Sequence, residues 1–98
     1  LKLSDLMPVE RDFAFVLDRK VAAATLLKAA RNADKALISD VGIFDLFEGG
    51  SLGEGKKSVA LRVTLQPTDR TLTDEDIEKV SAAIVAAVSR ATGGTLRT

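Results

Sequence analysis

Hydrophobic and polar positions alternate from Arg11 to Asp18, with Phe13, Phe15 and Leu17 on one face and Asp12, Ala14 and Val16 on the other. Period-two alternation of this kind predicts a strand buried on its Phe side. Residues 1–10 contain Pro8 and read as an extended lead-in. Asp18 is the predicted N-cap of an alanine-rich helix over Arg19–Ala33, whose inner stripe is Ala23, Leu26, Leu27 and Ala30. Ala36–Glu48 is a second strand with apolar Leu37, Val41, Ile43, Phe44, Leu46 and Phe47. Its alternation slips at Ile43-Phe44, which predicts a bulge and leaves the faces beyond that point unassigned. A glycine-rich connection, Gly49–Gly55, leads into Ser58–Gln66, where Val59, Leu61, Val63 and Leu65 face one way and Ser58, Ala60, Arg62, Thr64 and Gln66 the other.

Pro67 closes that strand, and Thr73-Asp74-Glu75-Asp76 opens a helix with a cap, a capping-box acid and carboxylates at its positive end. Ile77, Val80, Ile84, Ala87, Val88 and Ala91 form its buried stripe, Gly93-Gly94 ends it, and Thr95-Leu96-Arg97 suffices for a short last strand. The order β-α-β-β-α-β predicts an α+β, ferredoxin-like sandwich: four antiparallel strands with two helices on one face. Residues 1–98 read as a single domain, with 1–10 as lead-in and 11–97 as the ferredoxin-like core.

Composition narrows the chemistry. The chain has 98 residues, 14 Lys+Arg against 14 Asp+Glu, no His and no Cys, and only four Phe as aromatics. The commonest general base, thiolate metal sites and disulfides are therefore out of reach. No run approaches the roughly 18 apolar residues of a membrane span. The start Leu1-Lys2-Leu3 is not that of a signal peptide and reads as part of a longer cytoplasmic chain.

Local motifs resolve mostly into structure. Gly50–Lys57 approaches a phosphate loop, but Lys57 stands where Ser or Thr should hold magnesium, and a strand follows instead of a helix. Lys56 and Lys57 remain candidates for phosphate contacts. Asp74, Glu75, Asp76 and Glu78 could suggest a metal, yet capping and dipole complementarity account for the first three. No catalytic or metal-binding residue is assigned. From Glu48 to Arg70, Lys56, Lys57, Arg62 and Arg70 exceed Glu48, Glu54 and Asp69 by one charge, so attraction of nucleic acid by charge alone is modest. The uncovered sheet face is predicted to show Asp12, Ala14, Val16, Ser58, Ala60, Arg62 and Thr64, without the stacking aromatics of an RNA-recognition motif.

Four strings at linked spacing carry a resemblance: Pro8–Val16, Val41–Gly49, Leu52–Ala60 and Arg70–Ile77. Together they resemble the ferredoxin-fold anticodon-binding domain that closes the β subunit of bacterial phenylalanyl-tRNA synthetases. The resemblance implies a non-catalytic reader of the anticodon region of tRNA(Phe). It also implies a parent α2β2 enzyme that uses ATP and magnesium, with the catalytic centre in the α subunit and the rest of the β subunit as a further partner. Arg11, Asp12, Lys56, Lys57, Ser58, Arg70 and Thr71 match the family pattern, and Phe47 stands where many relatives have Tyr. The RNA-facing set expected from the open face and its surroundings is Ala14, Arg62 and Thr64, helped by Lys56, Lys57 and Arg11.

Two other readings compete. A regulatory or interaction domain would pair through its sheet edge or open face. An acylphosphatase-type hydrolase would need a glycine-bearing phosphate cradle after the first strand, where this chain has Asp18-Arg19-Lys20-Val21-Ala22-Ala23.

Overall fold

The computed structural model describes residues 7–49, 52–67 and 71–97. Gly50, Ser51, Asp69 and Arg70, which figure in the loop and turn motifs, lie outside the described residues. The elements run β1 (Val9–Asp18), α1 (Ala23–Asn32), β2 (Ile38–Glu48), β3 (Lys56–Leu65), α2 (Asp74–Thr92) and β4 (Thr95–Leu96). They build one antiparallel sheet in the order β2-β3-β1-β4. Both helices contribute to a single core with one face of that sheet, giving the ferredoxin-like sandwich.

The core follows the alternation. Phe15, Leu17, Val59, Leu61, Val63 and Leu65 are buried from the strands, and Leu26, Ala30, Val80, Ile84 and Val88 from the helices. Register explains why these sets meet: Phe13 lies opposite Leu61 and Phe15 opposite Val59, so the two strands present their apolar residues to the same side. The Phe13 and Phe15 rings stack with centroids 6.3 Å apart.

Helix ends show where local chemistry prevails. Thr73 accepts from the Asp76 amide at 3.1 Å while the Asp76 carboxylate accepts from the Thr73 amide at 3.0 Å, completing the predicted capping box. Gly93 closes α2 at φ 73°, a left-handed conformation that glycine adopts without strain. A Cβ on Gly94 would come within 3.3 Å of the Leu17 Cβ and the Val16 carbonyl oxygen, so the chain passes close to β1 there.

Several boundaries differ from expectation. The first strand starts at Val9, inside the predicted lead-in, because Val9 finds a ladder partner in Leu65. Asp18 does not cap α1. Its carboxylate instead accepts from the Lys20 amide and its carbonyl from the Val21 amide. That turn uses residues 19–21, and the helix begins behind Ala22 with no side-chain cap. Likewise, the Asp34 carboxylate accepts from the amides of Ala36 and Leu37, delaying β2 to Ile38.

Removing the Thr73 cap as Thr73→Ala is expected to cost about 1 kcal/mol, and Phe15→Ala about 3–5 kcal/mol. Both are read as a lowered urea midpoint at unchanged slope.

Candidate nucleic-acid interface

The sheet face away from the helices is built by parity. Residues paired across an antiparallel ladder point to the same side, so Asp12, Ala14 and Val16 of β1 join Arg62, Ala60 and Ser58 of β3. On β2 the parity is broken twice. Register shifts fall between Ile38 and Asp40 and between Ile43 and Asp45. At the second, Ile43 pairs with Leu61 and Asp45 with Ala60, leaving Phe44 as the extra residue of a bulge.

That bulge decides what the open face displays. Beyond it, Leu46 pairs with Val59 on the helix side and Phe47 with Ser58 on the open side. Phe44 also lies on the open side, its ring 4.8 Å from the Arg62 guanidinium carbon. The expectation of an aromatic-free face is therefore corrected: Phe44 is 51% exposed and Phe47 44% exposed on it.

Ala14, Asp45, Phe47, Ser58, Ala60 and Arg97 surround a shallow hollow of about 310 Å³ in the middle of this face. Arg97 reaches it because its amide donates to the Ala14 carbonyl at 2.7 Å, extending the pairing of β4 with β1. A larger hollow of about 670 Å³ lies between α1 and α2, but alanine methyls such as Ala29, Ala33, Ala83 and Ala87 dominate it. The sheet hollow combines an aromatic ring, a carboxylate, a hydroxyl and a guanidinium.

Arg62 is engaged within the protein. Its Nε and Nη2 donate to the two Asp12 carboxylate oxygens at 2.9 and 3.1 Å, and Glu10 stands 3.9 Å away. The hydrogen bond from Arg62 holds the Asp12 carboxyl below its usual value and pushes the guanidinium further up.

The residues expected to face RNA separate. Ala14 and Arg62 lie on the open face, and Lys56 opposite Asp18 shares their parity at its end. Thr64 does too, but it is the cross-strand neighbour of Glu10 and Asp40, so that end is acidic. Arg11 and Lys57 lie on the other side. Arg11 pairs with Val63 and lines a groove with Asp74, Ile77, Glu78 and Ser81. Lys57 pairs with Leu17 and is only 7% exposed. The cause is parity: Arg11 stands two residues before Phe13 and Lys57 two before Val59, so each inherits the core side.

Sequence reasoning missed Phe44, Asp45, Phe47 and Arg97. The first three depend on the bulge, and Arg97 depends on β4 lying beside β1. Among the described residues of this face the cations Lys56, Arg62 and Arg97 are outnumbered by Glu10, Asp12, Asp18, Asp40 and Asp45. The carboxylates Glu10, Asp12 and Asp40 collect around Arg62 and Thr64, while Arg97 sits at the hollow and Lys56 nearer the hairpin.

Residues 4–97 match the family described as Ferredoxin-fold anticodon binding domain. The chain is similar to the phenylalanine--tRNA ligase beta subunits of Paramagnetospirillum magneticum, at 67% identity over 97 residues, and of Ruegeria pomeroyi, at 66% over 97. That of Cereibacter sphaeroides is 64% identical over 101 residues. Each match covers 99% of this chain but 12% of the relative. The chain thus spans a small part of the length of these curated relatives.

The Asp12–Arg62 pair makes a pH prediction. A carboxyl held below its usual value of 3.8 stabilises the fold above that value and loses the contribution as pH falls through the lower folded value. Unfolding midpoints of the parent and of Asp12→Asn are expected to differ near neutral pH and to converge in acid.

Proposed function

The chain belongs to the ferredoxin-fold anticodon binding domain family, and from that membership we propose that it binds the anticodon region of tRNA(Phe) within a phenylalanine–tRNA ligase β subunit. In this reading the parent enzyme is a cytoplasmic α2β2 assembly that joins phenylalanine to tRNA with ATP and magnesium. Catalysis takes place elsewhere in the parent, and this domain adds binding energy and discrimination at a distance from it. The remainder of the β subunit and the α subunit are its protein partners.

The observation that carries the reading is the hollow in the open face. Ala14 and Ala60 keep its floor low, Phe47 supplies a flat ring at its wall, and Asp45, Ser58 and Arg97 ring it with polar groups. A single unstacked base fits this chemistry: its face packs on the Phe47 ring while its edge meets hydrogen-bonding groups. Asp45 as a carboxylate only accepts, so it favours an edge carrying adjacent N–H donors. Guanine has that edge, and the Arg97 guanidinium complements guanine's O6 and N7 acceptors. Phosphates would then lie toward Lys56 and away from the carboxylates around Thr64. Ala14 and Lys56 therefore keep the RNA-facing role expected from sequence, while Arg11, Lys57 and Thr64 lie outside the proposed contact.

Charge does not drive this binding, since carboxylates outnumber cations on the face. Stacking and base-edge contacts supply most of it, and the salt dependence is shallow.

In the intact ligase, Phe47→Ala is expected to weaken tRNA binding by about 1–3 kcal/mol without changing its salt slope. Lys56→Gln is expected to flatten that slope by about 0.7 per lost phosphate contact. Inosine, which lacks the guanine amino group, should weaken binding at one anticodon-loop position only, and Asp45→Asn should remove that sensitivity. Parent-like binding by Phe47→Ala and Lys56→Gln alike would overturn the proposal.

A further inference from the structure

The open face depends on a register that core burial does not enforce. Ile43 and Leu46 point to the helix side of β2 yet are 36% and 51% exposed, so the helices leave this end of the strand largely uncovered. Register is weakly specified wherever neither face is buried. Closing the bulge would set Phe44 opposite Ala60 alone and turn Asp45 and Phe47 to the helix side, bringing Leu46 to the open face. Gly49, Gly53 and Gly55, which follow β2, sit at positive φ, a conformation glycine adopts without strain.

Something on the open face must hold the bulged register, and Arg62 is placed to do so. It pairs across the sheet with Asp12 on one side and Gly42 on the other. Asp12 grips the guanidinium by both oxygens, at 2.9 and 3.1 Å. The guanidinium lies over the Phe44 ring, 4.8 Å from its centroid. The contact joins three strands at the bulge itself.

We propose that Arg62 is a positioning residue of this interface: anchored by Asp12 and seated on Phe44, it clamps the β2 bulge and so keeps Asp45 and Phe47 on the open face. The inference rests on the tRNA-docking reading above and reassigns Arg62 from the expected RNA-facing set to support of the base site.

The test uses the intact ligase carrying Asp12→Asn, Arg62→Met, Phe44→Ala or Phe44→Tyr, with tRNA affinity measured across a salt series. A clamp predicts that Asp12→Asn, Arg62→Met and Phe44→Ala each weaken binding about 2- to 5-fold, a loss typical of an exposed cation–π contact, at unchanged salt slope. The double variant Arg62→Met/Phe44→Ala should be no worse than the singles, and Phe44→Tyr, which keeps the ring, should bind like the parent. The structure of the Arg62→Met enzyme should show Phe47 displaced from the open face in part or in full.

A direct phosphate contact predicts the reverse for Asp12. Removing that carboxylate would tighten binding, and Arg62→Met would flatten the salt slope by about 0.7. Either result, or Phe47 unmoved in Arg62→Met, overturns the clamp. Should Phe47→Ala and Lys56→Gln both leave binding unchanged, the docking reading and the clamp fall together, and an unchanged Phe47→Ala beside a weakened Lys56→Gln removes the clamp alone. Weakening by Phe47→Ala alongside neutral or tighter binding by Asp12→Asn removes the clamp alone.

Discussion

Phe44 and Asp45 both stand against Ala60, two residues of β2 against one of β3. In a regular ladder, side chains alternate without exception, and every residue past that point would face the other way. The bulge is thus the constraint from which the remaining surface follows. It keeps Leu46 with the helix-side residues, brings Asp45 and Phe47 beside Ala14 and Ala60, and presents Phe44 to Arg62. The core depends on regular pairing, with β1 and β3 in unbroken register from Val9–Leu65 to Asp18–Lys56. Irregularity is confined to the edge strand, where it reshapes the surface without disturbing the packed layer.

The electrostatics agree with a surface that reads shape more than it attracts charge. Carboxylates crowd the Thr64 end of the face, and the guanidinium nearest them is committed to Asp12. Arg97 and Lys56 lie toward the other end, so the face presents a graded field rather than a uniform basic patch. A small domain with balanced charge is poorly suited to sequence-independent capture of polyanions. In the proposed reading it adds a local, base-selective contact instead.

Much of the fold was legible because local signals agreed with one another. The clean alternation of Val59, Leu61, Val63 and Leu65 sets the core face of β3, and Thr73 with Asp76 marks the start of α2 through purely local contacts. The candidate site was legible only where alternation was regular, at Ala14, Ser58, Ala60 and Arg62. The sides of Arg11 and Lys57 were legible too, since each shares the parity of a core residue two positions on. Phe47 and Asp45 were not, because a bulge shifts every later face and its extra residue is chosen by cross-strand contacts. Arg97 needed the placement of β4 against β1, a long-range pairing that local pattern does not encode.

Photocrosslinking tests the central claim most directly. p-Benzoylphenylalanine would replace Phe47 in one intact ligase and Leu46 in another, and both would be irradiated with tRNA(Phe). The two positions are adjacent in the chain but lie on opposite faces of the same strand. The account predicts a crosslink to the anticodon loop from position 47 and none from position 46. A crosslink from 46 with none from 47 would place the RNA on the helix side and contradict it.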